Sequence, residues 1–341
     1  MSEGVRIRDI GGKPGTTQRG FVKIGETPTG PINVPVVIIS GRRPGPTLCL
    51  TAGVHATEYP GMDAVMRLSH DLRPEDISGV VIAVPVVNTV MFGARSGFLN
   101  PIDGQNLNRV APGRPDGTLS EVLAYVLLNE IIGIADYHLD CHGGDLPEAL
   151  LPYAAYNLTG DAAMDEKGEA ICRIYSPRVF ALFKDGGPLP PITGSVTYQA
   201  TRRGVISVLT ETGSAGGLDP ADVQYRIKRI IDIMRYLKML DGEPHVASGQ
   251  LKAVTQFRVT ARRGGLIRTD VKVGDELKAG QLLAEVVDVF GDVVERIEAP
   301  RDGIARIVWT HRVVNTGDSI VLCWVAEPAP PFPPLGAYTK P

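Results

Sequence analysis

Thr51-Ala-Gly-Val-His-Ala-Thr-Glu-Tyr-Pro-Gly61 places an imidazole, His55, and a carboxylate, Glu58, on one short stretch. The run leading into it, Thr47-Leu-Cys-Leu-Thr-Ala52, is apolar and reads as a buried strand. The run leaving it, Met62-Asp-Ala-Val-Met-Arg-Leu-Ser-His-Asp-Leu72, has helical apolar spacing. A His and a Glu on a turn at the carboxyl end of a strand stand where open α/β sheets collect their ligands. Nitrogen and oxygen donors of this kind suit zinc, and a catalytic zinc takes three protein ligands and keeps a fourth position open. A third donor and a base are therefore the features to find.

Composition sets the frame. A chain of 341 residues is long for a single core, so one large domain and a smaller one are expected. The apolar fraction of 43% and charged fraction of 21% are those of a globular protein. A net charge of -3 gives no reason to expect nucleic acid or an anionic membrane as partner. Cys49, Cys141, Cys172 and Cys323 lack CxxC spacing, which argues against a thiolate zinc site and a disulfide framework and fits a reducing compartment. The amino-terminal residues carry no apolar signal core, and no run approaches the length of a membrane span. The expectation is a cytoplasmic protein.

Phe21–Ile24 and Ile32–Ile39 read as edge or meander strands, since Pro35 lacks the donor a central strand needs. Gly79-Val-Val-Ile-Ala-Val-Pro-Val-Val87 is a continuous apolar run, as in a strand covered on both faces. Alternation of such strands with helices predicts an α/β fold. Asn88 to Gly113 reads as a long loop, of the kind that is functional or disordered. It holds Arg95, Asp103 and Asn106-Leu-Asn-Arg109. The Arg109 guanidinium matches a carboxylate, and the Asn108 amide could hold the same group from the side; the competing reading is a surface Arg beside a turn Asn.

Thr118-Leu-Ser-Glu121 has capping-box spacing and opens a helix. Ile134-Ala-Asp-Tyr-His-Leu-Asp-Cys-His142 then reads as a strand, with His138, Asp140 and His142 on one face. His138 and His142 could each be the third ligand. His142 is preferred because it ends the strand at the sheet level of His55, and Asp140 could orient an imidazole or cap the next turn. Val205-Ile-Ser-Val-Leu-Thr210 delivers Glu211 beside a glycine loop, a place suited to a general base acting on water activated by a metal, although most strand-terminal Glu residues are simply solvated. Asp219-Pro220 opens an amphipathic helix along Val223, Ile227, Ile230, Ile231, Met234 and Leu237.

From about Leu251 the pattern turns to short strands. Residues 264–284 and 302–322 repeat each other around the turns Gly274-Asp275 and Gly317-Asp318, which marks an internal duplication in an all-β unit. This unit resembles the barrel-sandwich hybrid of biotinyl and lipoyl domains, but residues 288–300 contain no Lys, so no swinging-arm cofactor is implied. The β unit could narrow the entrance to the metal or mediate contacts in a homo-oligomer; Trp309 and His311 read as packing residues. The resulting division is residues 1–245, a catalytic domain; 250–326, the β unit; and 327–341, a Pro-rich tail.

Gly53-Val-His55-Ala-Thr-Glu58, Asn108-Arg109, Asp140-Cys-His142-Gly-Gly and Thr210-Glu211-Thr-Gly213 together resemble the ordered signature of the succinylglutamate desuccinylase/aspartoacylase branch of the zinc carboxypeptidases. The resemblance implies a mixed sheet flanked by helices with a barrel-sandwich tail. It also implies one zinc on His55, Glu58 and His142, Glu211 as base, and Asn108-Arg109 as clamp for a substrate carboxylate. Asn100 stands where aspartoacylase-like members have an Arg, and Arg95 is the candidate replacement. The expected activity is zinc-dependent hydrolysis of a small N-acyl amino acid or related amide acid. The alternatives are a carboxypeptidase acting on peptide C-termini and, more distantly, a non-catalytic carboxylate-binding module.

Overall fold

The computed structural model describes residues 4–333. Four parallel strands form its centre, in the order Ser78–Val84, Arg43–Ala52, Tyr137–His142, Ile206–Glu211. The chain leaves Arg43–Ala52 through the helix Tyr59–Asp71 and returns as Ser78–Val84 on one side, then enters Tyr137–His142 on the other. Strand order thus reverses between Arg43–Ala52 and Tyr137–His142, and such a reversal opens a crevice at the carboxyl ends of the strands.

Gly30–Ser40 and Thr16–Thr27 extend the sheet antiparallel to its edge. Pro35 falls in the half of Gly30–Ser40 that has only Thr16–Thr27 beside it, because Ser78–Val84 pairs with Val37–Ser40 alone. The missing donor therefore interrupts no second ladder. Beyond Ile206–Glu211 follow Tyr153–Asn157, Val179–Phe183 and Leu251–Thr260, then Ser319–Pro328, Gly303–Trp309 and Glu276–Leu277. One sheet of thirteen strands therefore carries both the α/β part and half of the carboxyl-terminal β part. A second sheet of four strands, Val293–Glu298, Leu282–Val287, Gly265–Arg268 and Val313–Val314, packs with it around Leu283, Val286, Ile297 and Val308. Its repeated turns work alike: Asp275 accepts from the Lys272 amide at 2.8 Å and Asp318 from the Asn315 amide at 2.7 Å.

Helices cover both faces of the central sheet. Tyr59–Asp71, Ala162–Tyr175 and Pro220–Tyr236 pack over Leu50, Leu139 and Val208, while Leu119–Val126 and Val196–Thr201 cover the side of Ile38, Ile82 and Val84. Thr118 and Glu121 form the expected capping box, and Asp161 and Asp219 cap their helices through the side chain. Residues 88–113 are not a loop throughout. Asn88 and Asn106 cap the short helices Thr89–Ala94 and Leu107–Val110, which span too few turns to show an apolar period. The four cysteines are buried and unpaired. Among the described residues no helix is long and apolar enough to cross a membrane. The Pro-rich tail begins inside a strand, which runs to Pro328. The Ala329 amide then bonds the Gln250 carbonyl at 2.9 Å, and residues 334–341 lie outside the described region.

Trp324 joins the α/β strands to the β unit. It is fully buried, edge-on to Tyr153 with ring centroids 4.6 Å apart, and Arg306 lies 4.7 Å over its ring. Trp324→Ala should therefore cost about 3–5 kcal/mol of stability, read from the midpoint of chemical denaturation.

Candidate functional site

The crevice at the strand ends is filled by buried acids and imidazoles. Gly53, at φ +73°, turns the chain out of the strand Arg43–Ala52, and the turn presents His55 and Glu58 before Pro60 enters the helix Tyr59–Asp71. His142 ends the neighbouring strand. Glu58 sits between the two rings: Oε1 is 2.9 Å from His55 Nδ1, and Oε2 is 2.9 Å from His142 Nδ1 and accepts from the Gly143 amide at 3.1 Å. One donor atom from each of His55, Glu58 and His142 lies within 4.8 Å of the others, so the three could hold a single metal ion.

The other ring nitrogens explain why this set fits a cation. His142 Nε2 is 3.1 Å from Asp140 Oδ2, and His55 Nε2 is 3.1 Å from Asn106 Oδ1. An acceptor on Nε2 fixes the tautomer that leaves Nδ1 unprotonated as a donor. Burial opposes the charges of Asp140 and Glu58, but the adjoining imidazoles override it and hold both carboxyls below the usual range. Burial likewise opposes protonation of His142, and Asp140 and Glu58 override that too, raising its pKa. His138 is not part of the cluster. Its two nitrogens face Thr51 Oγ1 at 2.8 Å and Ser207 Oγ at 2.7 Å, and burial lowers its pKa to about 4, so it is a neutral link in the strand interior. Asp140 acts as the orienting partner rather than a turn cap, with its second oxygen accepting from Thr51 at 2.6 Å.

Glu211 ends its strand in register with His142, so both side chains rise from the same face of the sheet. Both line one cavity with His55 and Glu58. Burial raises its pKa, and Oε2 has no hydrogen-bond partner among the described residues. Asn108 and Arg109 are on the same cavity wall. The Asn108 amide oxygen accepts from the Val196 amide at 2.9 Å, and Arg109 donates to the Asn108 carbonyl at 2.8 Å. Arg95 is not brought to the cavity: it is the exposed left-handed cap of Thr89–Ala94, where the chain turns out toward solvent. Asn100 is buried and accepts from the Ile102 amide.

The profile of the succinylglutamate desuccinylase/aspartoacylase catalytic domain matches residues 44–237, from the strand before His55 to the end of the helix Pro220–Tyr236. The chain belongs to the succinylglutamate desuccinylase/aspartoacylase family. The chain is 30% identical over 320 residues to the N-alpha-acetyl-L-2,4-diaminobutyric acid deacetylase of Halomonas elongata, covering 89% of this chain and 90% of that protein. Its fold is similar to a succinylglutamate desuccinylase/aspartoacylase from Rhodobacter sphaeroides, with TM-score 0.81, 26% identity, and 92% of this chain and 96% of that one covered. It is also similar to the product-bound ectoine utilization protein EutE (DoeB) from Ruegeria pomeroyi, with TM-score 0.81, 25% identity, and 91% and 95% covered.

In this family member, several residues around the cluster had no local signature in the sequence. Asn106 stands beside the Asn108-Arg109 pair with nothing local to mark it, yet it sets the His55 ring. Glu148 and Arg306 enter the cavity because the strand Glu148–Leu150 pairs with Gly303–Trp309, a contact no short-range spacing announces. Trp309, expected to be a packing residue, also lines the cavity while resting on the small cluster of Leu150, Ile307 and Leu322. Arg226 did leave a signal. It falls on the apolar stripe between Val223 and Ile230, is fully buried, and donates to Thr210 Oγ1 at 2.8 Å and to the carbonyls of His142 and Thr212.

Two outcomes follow from this geometry. Asp140→Asn should weaken divalent-metal affinity about 10–100-fold, measured by competition with a chromophoric chelator, while the circular dichroism spectrum stays native. Arg226→Met should lower stability by about 3 kcal/mol in denaturant titrations, since it strips donors from two buried carbonyls behind the site.

Proposed function

We propose that this protein is a zinc-dependent amidohydrolase that removes the acyl group from a small N-acyl amino acid. One observation carries the reading: the His55–Glu58–His142 donor set, the Glu211 carboxyl and the Asn108-Arg109 pair open into one cavity. Family membership and the Halomonas relative, named for deacetylating a diamino acid, support the same chemistry.

His55, Glu58 and His142 would hold the ion. A zinc bound there supplies a Lewis acid that acidifies water and polarises an amide carbonyl. The remaining work belongs to the chain. Glu211, whose proton affinity is raised by burial, takes a proton from the attacking water and delivers it to the departing amine nitrogen. Arg109 pairs with the substrate carboxylate, and Asn108, fixed by the Val196 amide, holds the wall beside it, so binding becomes orientation of the amide over Glu211. Asp140 and Asn106 keep both imidazoles in the donor tautomer. The cavity, of about 270 Å³, favours a small amide acid over the peptide substrate of a carboxypeptidase.

Glu211→Gln should retain zinc by elemental analysis and lose at least about a hundredfold in kcat. Loss of the metal instead would make Glu211 a ligand. Chelation should abolish hydrolysis of N-acyl amino acids and added zinc should restore it; a panel including dipeptides and longer peptides separates the deacylase from a carboxypeptidase. Metal-free, chelator-insensitive protein with no hydrolysis would sink both.

A further inference from the structure

The cavity wall holds one carboxylate that the proposed mechanism does not use. Glu148 lies on the strand Glu148–Leu150, opposite Trp309 in the register with Gly303–Trp309, and its side chain lines the cavity that holds His55, Arg109 and Glu211. Among the described residues, nothing donates a hydrogen bond to its carboxylate, and Arg109 and Arg306, the two guanidinium groups of the cavity whose charge reaches it, form no salt bridge with it. Both are otherwise engaged: Arg109 donates to the Asn108 carbonyl at 2.8 Å. Arg306 donates to Tyr153 Oη and to Gln256 Oε1 at 3.2 Å, with its guanidinium against the Tyr153 and Trp324 rings at 4.5 and 4.7 Å. A half-buried acid held in no direct ion pair is costly to keep charged, and burial, aided by Glu58 and Asp145, pushes the Glu148 carboxyl up to about 7. A cationic ligand group would reverse that cost.

We propose that Glu148 is the specificity-determining residue of the site, binding a cationic amino group on the side chain of the N-acyl amino acid while Arg109 takes its carboxylate. The inference rests on the amidohydrolase reading above and names its substrate class: N-acyl diamino acids rather than N-acyl acidic amino acids. A substrate carrying a second carboxylate would bring like charge toward Glu148, whereas an ammonium supplies the missing donor. The N-acyl diamino acid itself, with one carboxylate and one side-chain ammonium, matches the Arg109 and Glu148 pair in charge.

The test uses the zinc-loaded protein and three substrates with a cationic, a neutral and an anionic side chain: Nα-acetyl-L-2,4-diaminobutyrate, N-acetyl-L-norvaline and N-acetyl-L-glutamate. In the wild type kcat/KM should fall in that order. In Glu148→Gln the preference for the cationic over the neutral substrate should shrink roughly ten- to hundredfold, through KM more than kcat, as expected for the loss of one charged hydrogen bond. Glu148→Lys should shift preference toward N-acetyl-L-glutamate. An unchanged substrate order in both variants overturns the proposal. So does an equal loss of kcat on all three substrates, which would make Glu148 a proton-transfer group. If the wild type hydrolyses none of them, the amidohydrolase reading fails by itself. Calorimetric binding of free 2,4-diaminobutyrate then decides Glu148: weaker binding to Glu148→Gln supports it, and equal binding overturns it.

Discussion

Buried charge at the ends of the parallel strands is the constraint from which the rest of this structure follows. Asp140, His142, Glu58, His55 and Asn106 form a run in which each polar group meets the next at 2.9–3.1 Å. An isolated ion at such depth would cost several kcal/mol, and removing one member of a buried pair leaves its partner uncompensated. The run closes because acids and imidazoles alternate. The two Nδ1 atoms point at one carboxylate, so a proton or a metal ion can hold that centre together. The two would compete, so a metal ion bound there would displace a proton.

The sheet beneath is built to tolerate this polarity. Thr51, His138, Asp140, Ser207 and Glu211 lie on the same face of adjacent strands, where apolar residues would ordinarily pack. Hydrogen bonds from Ser207 to His138, from His138 to Thr51 and from Thr51 to Asp140 carry the network inward until it ends on neutral hydroxyls. His138 is thus the point where a charged site becomes an ordinary core. Arg226 supports the same strands from the helix behind, with hydrogen bonds to the carbonyls of His142 and Thr212 just past the strand ends.

Much of this was legible in the chain because it is local. The strand, turn and helix around His55 and Glu58, the apolar run of Ser78–Val84 and the caps at Thr118, Asp161 and Asp219 depend on residues within a few positions of one another. Two-residue alternation put His138 and His142 on one face and so could not choose between them. His142 stands at the strand end beside His55 and Glu58, whereas His138 meets the hydroxyls of Thr51 and Ser207. Glu148, Arg306 and Trp309 were illegible for the converse reason: they meet through pairing between segments more than 150 positions apart, and register at that distance has no short-range spelling.

That pairing also ties the β unit to the site. Leu251–Thr260 lies parallel to Val179–Phe183 in the same sheet, and Gly303–Trp309 faces the segment that follows His142. Arg306, Gln256 and Trp309 are therefore walls of the cavity rather than a neighbouring lid. Removing the β unit would uncover the edge of Val179–Phe183 and also strip the partner that holds Glu148–Leu150 against the cluster. An exposed strand edge invites intermolecular pairing. The position of the cavity carboxylate and the integrity of the sheet thus depend on the same ladder, so a change in the β unit acts on the site through backbone register as well as through side chains at the entrance.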